Sequence, residues 1–146
     1  MGNPFVHIEL NSGDLAKSKK FYKGLFQWDM KDMPMGPGMT YTTIGVGKGV
    51  GGGMQASQWP NNQSLWLPYV EVADVRKTIA KAEKTGAQIL IDHMDVPGMG
   101  ALGVFIDPNG AALGVWQPAP PARKSAKKGA KKSAKKAAKK SAKKKR

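Results

Sequence analysis

The chain has 146 residues, no cysteine and a formal net charge of +14 at pH 7. Up to Pro120 ten basic and ten acidic residues cancel, so the excess comes from the fourteen basic residues of the last 26, which include no acidic one. Without cysteine there are no disulfides, no thiolate chemistry and no Cys-ligated zinc. No apolar run reaches the roughly 18 residues that a membrane helix needs. We therefore expect a neutral globular domain with a cationic tail.

The first half of the domain alternates between strand and helix signals. Phe5–Leu10 has the period of two that predicts a strand, and Asp14 is a suitable N-cap for a helix over Leu15–Phe26. Three further strands are predicted, at about 28–33, 39–45 and 50–55, with Gly- and Pro-rich turns between them. This half therefore has the order β-α-β-β-β.

The second half repeats that order after a linker at Ala56–Asn62. A strand is predicted at Leu65–Val72, and Asp74 caps a helix with Val75, Ile79 and Ala82 on its apolar face. Strands then follow at about 87–92, 101–106 and 111–117. We expect one domain over residues 1–117, made of modules 1–55 and 63–117, and a separate tail over 118–146.

Two sets of motifs carry a family resemblance. The first consists of His7-Ile-Glu-Leu-Asn-Ser-Gly-Asp-Leu15, Lys20-Phe-Tyr22 and Leu25-Phe-Gln-Trp28. The second consists of Trp66–Asp74 and Phe105–Trp116. In this order and spacing they resemble the vicinal-oxygen-chelate superfamily of glyoxalase I, bleomycin-resistance proteins and extradiol dioxygenases. The resemblance implies an α+β fold: two βαβββ modules form an open, cup-shaped mixed sheet, whose cleft binds a small ligand, often at a metal.

The resemblance also implies where the metal ligands of the superfamily would lie. Metal-using members take two His or Glu ligands from each module, and the corresponding positions here are His7, Gly52, Leu67 and Gly114. Only His7 can coordinate an ion, whereas a catalytic site needs about three protein ligands. We therefore predict no metal and no other cofactor. Glycine at two of the positions is expected to leave room for a ligand close to the backbone.

His7 and Glu9 are the candidate catalytic residues. They point the same way by strand alternation, and His7 titrates near neutrality, as a general base does. The alternative is a hydrogen-bonded histidine that only lines the cup. The other histidine, His93, is expected at an exposed strand end.

The ligand cleft is predicted from the same alternation. Its expected lining is apolar and aromatic with a few polar groups, as is usual for small-molecule sites. The predicted residues are Phe5, His7, Glu9, Met54, Leu67, Tyr69 and Trp116. The alternative is that these side chains fill a closed core and leave no cleft.

The tail begins with a stiff Pro118-Ala-Pro-Pro121 spacer and then repeats Ser-Ala-Lys-Lys-type tetrads from Ser125 to Lys144. Its composition resembles the tails of linker histones and bacterial histone-like proteins. Dense charge without apolar side chains predicts disorder in isolation and sequence-independent binding to nucleic-acid phosphates. The alternatives are a solubilising extension and attraction to anionic lipid. The predicted contact residues are Lys127, Lys128, Lys131, Lys132, Lys135, Lys136, Lys139, Lys140, Lys143 and Lys144.

These observations predict a metal-independent protein that binds an unknown small organic ligand and is tethered to nucleic acid. One alternative is a lyase, isomerase or dioxygenase-type enzyme of the superfamily. Another is a nucleoid-associated protein whose domain is only an oligomerising head. We expect a cytoplasmic location, with association with the nucleoid through the tail, and no membrane insertion. The sequence leaves a homodimer open.

Overall fold

The computed structural model describes residues 2–122, so the predictions for the lysine repeat concern residues outside the described part. Strands and helices follow one another in the order that the sequence predicts. They are β1 (Phe5–Ser12), α1 (Leu15–Leu25), β2 (Asp29–Pro34), β3 (Thr40–Gly45), β4 (Gly52–Ala56), β5 (Leu65–Glu71), α2 (Val75–Lys84), β6 (Gln88–Val96), β7 (Gly100–Ile106) and β8 (Ala112–Pro118).

Each helix is capped by an aspartate, which lies two residues after the end of β1 and three residues after the end of β5. The Asp14 carboxylate accepts a hydrogen bond of 3.0 Å from the Lys17 backbone N–H, and Asp74 accepts one of 3.0 Å from Lys77. Each cap supplies a partner for one of the free N–H groups of the first helical turn. The two caps therefore fix equivalent strand-to-helix corners in the two modules, as predicted.

The strands form one mixed sheet in the order β2-β3-β4-β1-β5-β8-β7-β6. Within each module the first and last strands are parallel, β1 with β4 and β5 with β8. The modules meet where β1 and β5 pair antiparallel at the centre of the sheet. The predicted α+β fold of two βαβββ modules is confirmed.

Both helices pack on the same face of the sheet, which we call the helix face. Under α1 the core is formed by Leu10, Ile44 and Met54. Under α2 it is formed by Val72, Val75, Ile79 and Val115. The opposite face has no helix among residues 2–122, and we call it the open face. No helix in this part of the chain is long and apolar enough to cross a bilayer.

The linker between the modules is a short 3₁₀ turn over Pro60–Asn62. Asn61 and Asn62 both adopt positive φ, at 58° and 53°, a conformation that asparagine tolerates better than most residues. The Asn62 side chain donates a 2.9 Å hydrogen bond to the Gly13 carbonyl. This contact ties the linker to the corner between β1 and α1, and Trp59, next to the turn, packs against the open face.

The sheet ends at β2 and β6, and β6 departs most from its prediction. It runs to Val96 rather than to Asp92, and its pairing with β7 shifts register twice, between Ile89 and Ile91 and between Ile91 and Met94. Such irregularities bend an edge strand and interrupt its side-chain alternation. The alternation of apolar and polar residues therefore predicts too early an end for β6.

Candidate functional site

The centre of the open face is defined by the registers around β1. Glu9 lies opposite Leu67 of β5 on one side and Gly53 of β4 on the other. His7 lies opposite Tyr69, which in turn lies beside Gly114 of β8. Directly opposed residues share a face of a sheet. The two modules therefore bring these side chains together at their joint.

Glu9 is the hub of a buried hydrogen-bond network, with 7% of its surface exposed. Its carboxylate accepts hydrogen bonds from Asn11 Nδ2 at 3.2 Å, Gln55 Nε2 at 3.0 Å, Tyr41 Oη at 3.1 Å and Tyr69 Oη at 3.4 Å. All four partners are neutral, so the carboxylate is stabilised by dipoles and not by a cation. Such an arrangement suits a group that changes its charge.

His7 joins the network through Tyr41. The distance from His7 Nε2 to Tyr41 Oη is 2.7 Å, and Tyr41 also donates to Glu9. The His7 ring is held between two tyrosines, 6.3 Å from the centroid of Tyr41 and 5.9 Å from that of Tyr69. His7 is thus the half-buried end of a chain of side chains that leads to a buried carboxylate.

Burial dominates the proton affinities of this cluster. It raises the pKa of the Glu9 carboxyl, and the hydrogen bonds from Tyr41, Asn11, Tyr69 and Gln55 oppose that rise. It lowers the pKa of the His7 imidazole. Burial, and then the charge of Glu9, raises the pKa of both tyrosines well above their ordinary value. Tyr41 and Tyr69 therefore remain protonated donors, and His7 is neutral at pH 7.

The other half of the open face is apolar. Leu67, Tyr69 and Val104 are buried at its floor. Half-buried apolar side chains surround them and form the accessible surface. These are Trp59, Leu65, Ile91, Leu102, Ala112 and Trp116. The structure thus places His7, Tyr69 and Trp116 on one face, with Leu67 beneath.

The glycines of the fourth strands do not leave the space that the sequence suggested. A Cβ atom on Gly53 would overlap the phenol of Tyr41, and one on Gly114 would overlap the ring of Tyr69. The expectation that Gly52 and Gly114 leave room for a ligand is therefore wrong, since a Cβ on Gly52 would overlap the Ile8 carbonyl. Gly53 and Gly114 instead each accommodate a tyrosine ring that belongs to the Glu9 network.

The predicted metal-ligand position Gly52 is wrong by one residue. Gly52 pairs with Ile8 and Ile44, which lie on the helix face, whereas Gly53 pairs with Glu9. A shift of one residue moves a side chain to the opposite face, and the run Gly51-Gly-Gly53 offers no side chain to fix the register. The corrected set is His7, Gly53, Leu67 and Gly114.

This corrected set does not fit the metal of the superfamily, because three of its members have no donor atom. Among residues 2–122, no three His, Asp or Glu side chains are grouped so that they could hold an ion. Glu9 is next to His7, but its oxygens already accept four hydrogen bonds. We therefore derive no chemistry through a metal.

Two residues of the predicted cleft lie elsewhere. Met54 is fully buried on the helix face with Leu10 and Ile44, because even-numbered residues of β4 point towards α1. Phe5 is 58% exposed and lies beyond an irregularity in the pairing of β1 with β5. Neither belongs to the cluster on the open face.

His93 is not at an exposed strand end. Its side chain is 15% exposed, lies within β6 and is 3.2 Å from the Arg76 guanidinium of α2 and 3.7 Å from Asp95. The longer β6 explains the error. His93 is on the helix side of the sheet, away from His7.

Four residues of the site were not predicted from the sequence. Tyr41, Gln55 and Asn11 bind Glu9, and Trp59 covers the apolar half. Tyr41 had a usable signal, since Ile44 fixes the helix face of β3 and thus turns Tyr41 to the open face. The signal for Trp59 was weaker: it is a large aromatic residue in an otherwise polar linker.

Comparison with known proteins agrees with this architecture. The sequence profile of the glyoxalase/bleomycin resistance protein/dioxygenase superfamily matches residues 5–115, which is most of the chain. The chain belongs to this superfamily. The match ends before the lysine-rich tail, so membership describes the domain alone.

Curated members of the superfamily share part of their length with this chain. CFP32 of Mycobacterium tuberculosis, whose name assigns it provisionally as a glyoxylase, is 31% identical over 114 residues, which cover 75% of this chain and 44% of CFP32. The anthracycline biosynthesis protein DauV of a Streptomyces species is 29% identical over 124 residues, covering 75% and 45%. The chain therefore spans less than half the length of these relatives.

Solved structures share the fold at low identity. The protein BH1468 of Bacillus halodurans superposes with a TM-score of 0.64 at 13% identity, covering 84% of this chain and 99% of that one. A methylmalonyl-CoA epimerase in complex with methylmalonyl-CoA gives 0.60 at 14% identity, covering 80% and 95%. At such identities the likeness shows the fold alone.

Proposed function

We propose that the domain binds a small organic molecule on its open face without a metal. The proposal is supported by the two different halves of that face, one polar and one apolar. A hydrogen-bonded network around Glu9 adjoins an apolar surface formed by Trp59 and Trp116. Such a surface suits a ligand with a flat apolar body and one hydrogen-bonding end.

The ligand of this proposal is not strongly anionic. Glu9 is the acidic group at the centre of the open face, and its partners are neutral. Lys31, the one basic residue of β2, shares the open face by register with Thr43, but it is exposed and paired with Asp29 at 2.9 Å. An aromatic compound with carbonyl or hydroxyl groups fits better than a phosphate ester. The relationship to an anthracycline biosynthesis protein supports this class.

A binding titration tests the proposal. The probe is a hydroxyanthraquinone. Its binding to the full chain is measured by calorimetry after exhaustive chelation of metals. Trp116→Ala should weaken binding roughly five- to thirtyfold, because an aromatic contact of this kind contributes roughly 1–2 kcal/mol. Trp66→Ala is the matched control, since Trp66 is half-exposed on the helix face near Tyr22. Equal losses in both variants, or saturation only with added metal, would refute the proposal.

Catalysis at the same site is the second candidate function. It is favoured by the juxtaposition of a neutral His7 with a buried Glu9 of raised pKa, since perturbed groups of this kind act as acids and bases. A lyase or isomerase would then act at His7. The name of the relative CFP32 assigns that protein provisionally as a glyoxylase. Turnover that is abolished in His7→Ala would support catalysis, and saturable binding without turnover would support the binding function.

We further propose that the tail tethers the domain to nucleic acid. The support is compositional: fourteen basic residues and no acidic one in Pro121–Arg146, attached to a domain of zero net charge. Lysine runs bind phosphates by releasing counterions, without reading the bases. If 6–10 phosphates are engaged, the logarithm of the binding constant should fall with the logarithm of salt concentration at a slope of roughly −5 to −9.

Deletion of the tail provides the test. A chain that stops after Pro120 should lose DNA binding and keep the melting temperature of the domain, because the sheet and both helices lie before that residue. Binding that is equal in the two chains, or indifferent to salt, would show that the tail is a solubilising extension. Binding to anionic vesicles but not to DNA would show that lipid is the partner instead.

A further inference from the structure

The hydroxyl of Tyr41 bridges two groups that both require a hydrogen bond. It lies 2.7 Å from His7 Nε2 and 3.1 Å from Glu9 Oε2. A phenol has one proton to donate. Glu9 is an acceptor towards all its other partners, so the Tyr41 proton goes to Glu9. His7 Nε2 must then carry a proton and donate to the Tyr41 oxygen.

This arrangement determines which nitrogen of His7 is free. If Nε2 holds the proton in neutral imidazole, Nδ1 is an acceptor. The structure gives Nδ1 no hydrogen-bond partner, yet among residues 2–122 no buried side-chain nitrogen or oxygen lacks one. Nδ1 is therefore accessible to solvent or to a ligand on the open face.

We propose that Tyr41 is a positioning residue that holds His7 in the Nε2–H form, so that Nδ1 accepts the proton of an acidic ligand hydroxyl while Glu9 is the final proton acceptor. The ligand class is thus a phenol or an enol, and this part rests on the proposed binding function. The O–H bond of the ligand breaks and a bond to Nδ1 forms. The Nε2 proton passes to Tyr41, whose own proton passes to Glu9, so the ligand becomes an anion and Glu9 becomes neutral.

This proton relay from the ligand to Glu9 follows a continuous path, because the Tyr41 hydroxyl is within hydrogen-bond distance of both His7 Nε2 and Glu9 Oε2. Glu9, Tyr41 and Tyr69 are the titratable groups in contact with His7 or its partner, and both tyrosines remain protonated. Burial makes the Glu9 carboxylate bind a proton more readily than a free carboxylate does. The negative charge moves from a buried carboxylate to the ligand, which lies nearer to solvent. In this relay the half-buried His7 stays neutral, because it loses the Nε2 proton when it gains one at Nδ1.

Nuclear magnetic resonance of the free protein tests the relay without any ligand. The chain has two histidines, so His93→Gln leaves the ¹⁵N signals of the His7 ring alone in the spectrum. At pH 8 we expect the pattern of the Nε2–H form. Tyr41→Phe should shift the ring towards a mixture of the two neutral forms, because the oxygen that accepts the Nε2 proton is gone.

Tyr69→Phe is the matched control for that experiment. It removes the other phenol that donates to Glu9, but this phenol has no hydrogen bond to His7. We expect the Nε2–H form to persist in this variant. An Nδ1–H form in the unmodified chain, or an equal response of the ring to both substitutions, would overturn the proposal. Folding of each variant is checked by the dispersion of its amide signals.

Binding tests the ligand class. A hydroxyanthraquinone should bind at least tenfold more tightly than its methyl ether, with the absorbance of the phenolate at pH 7, because hydrogen bonds to charged groups are the stronger ones. Tyr41→Phe should remove that preference. Equal binding of phenol and ether would overturn the assignment. If neither binds, the proposed function fails, and the ring signals of the free protein alone decide the relay.

Discussion

The two modules have the same strands and the same helix cap, yet their open faces differ in chemistry. Measured from the caps and the registers, His7 corresponds to Leu67, Glu9 to Tyr69, Tyr41 to Leu102 and Gln55 to Trp116. In the first module these positions form a polar network, and in the second they form an apolar surface apart from the Tyr69 hydroxyl, which donates to Glu9. The same backbone pairing thus forms both modules, whereas the chemistry of the side chains on the open face differs between them.

The largest effect is expected from shortening the side chains at one pair of equivalent positions. Leu67→Ala removes a side chain that is 2% exposed and should lower the free energy of unfolding by roughly 2–5 kcal/mol. His7→Ala at the corresponding position removes a half-buried ring with one hydrogen bond and should cost about 1 kcal/mol. Urea unfolding of both variants measures the difference. Equal losses would mean that the two halves are packed alike.

A smaller effect is expected from methyl groups on the glycines beneath the tyrosines. Gly114→Ala forces a Cβ atom against Tyr69, which is packed with Leu67 and Val104, and should cost about 1–3 kcal/mol. Gly53→Ala meets the half-buried Tyr41, which can yield towards solvent, so it should cost less but displace the phenol from His7 and Glu9. The measurements are thermal unfolding and the ring signals of His7.

Gly24→Ala is the control for these two substitutions. A Cβ at Gly24 would have no atom within 4 Å other than those of its chain neighbours and the helix backbone, and alanine favours the helix there. Its stability should be unchanged or higher. A similar loss in all three variants would show that the cost comes from the backbone and not from the tyrosine rings.

A pH-dependent effect is expected from Glu9, because its pKa is raised by burial. The folded state binds this proton more tightly than the unfolded state does, so the stabilisation is present below the ordinary pKa of a glutamate. It is lost as the pH rises through the pKa of the folded state. Glu9→Gln cannot ionise, so its melting temperature relative to that of the unmodified protein should rise from pH 4 to pH 8.

Glu83→Gln makes the same change at an exposed position of α2. It is the matched control for the loss of one carboxylate, measured over the same pH range. Parallel pH dependence of the two variants would argue that Glu9 is not desolvated. The effect of His7 has the opposite sign, since its lowered pKa reduces stability as the pH falls below about 6.5.

The smallest effect is expected from chelation. The positions His7, Gly53, Leu67 and Gly114 supply one donor side chain, so treatment with a chelator should leave the melting temperature unchanged. Elemental analysis should find no stoichiometric divalent ion. About one Zn, Ni, Fe or Mn per chain that disappears in His7→Ala would contradict this and would make the first module a metal site.

The sequence predicts the fold well because each module repeats strong local signals. Asp14 and Asp74 start the helices where expected, and the central strands alternate clearly. Prediction fails where alternation is interrupted or absent. Phe5 lies beyond a pairing irregularity, and β6 shifts register twice and runs past its predicted end. The run Gly51-Gly-Gly53 has no side chains that would indicate its register. Sequence spacing locates His7 and Glu9, but it does not show that Tyr41, 32 residues beyond Glu9, joins them.

The charged strands at the ends of the sheet affect how the protein behaves at high concentration. An outer strand exposes unpaired backbone groups that can pair with another copy, and charges and bends oppose such growth. Here β2 carries Asp29, Lys31 and Asp32, and β6 combines its register shifts with Asp92 and Asp95. If the lysine repeat gathers many copies along one polyanion, these edges keep crowded neighbours from fusing into a fibre.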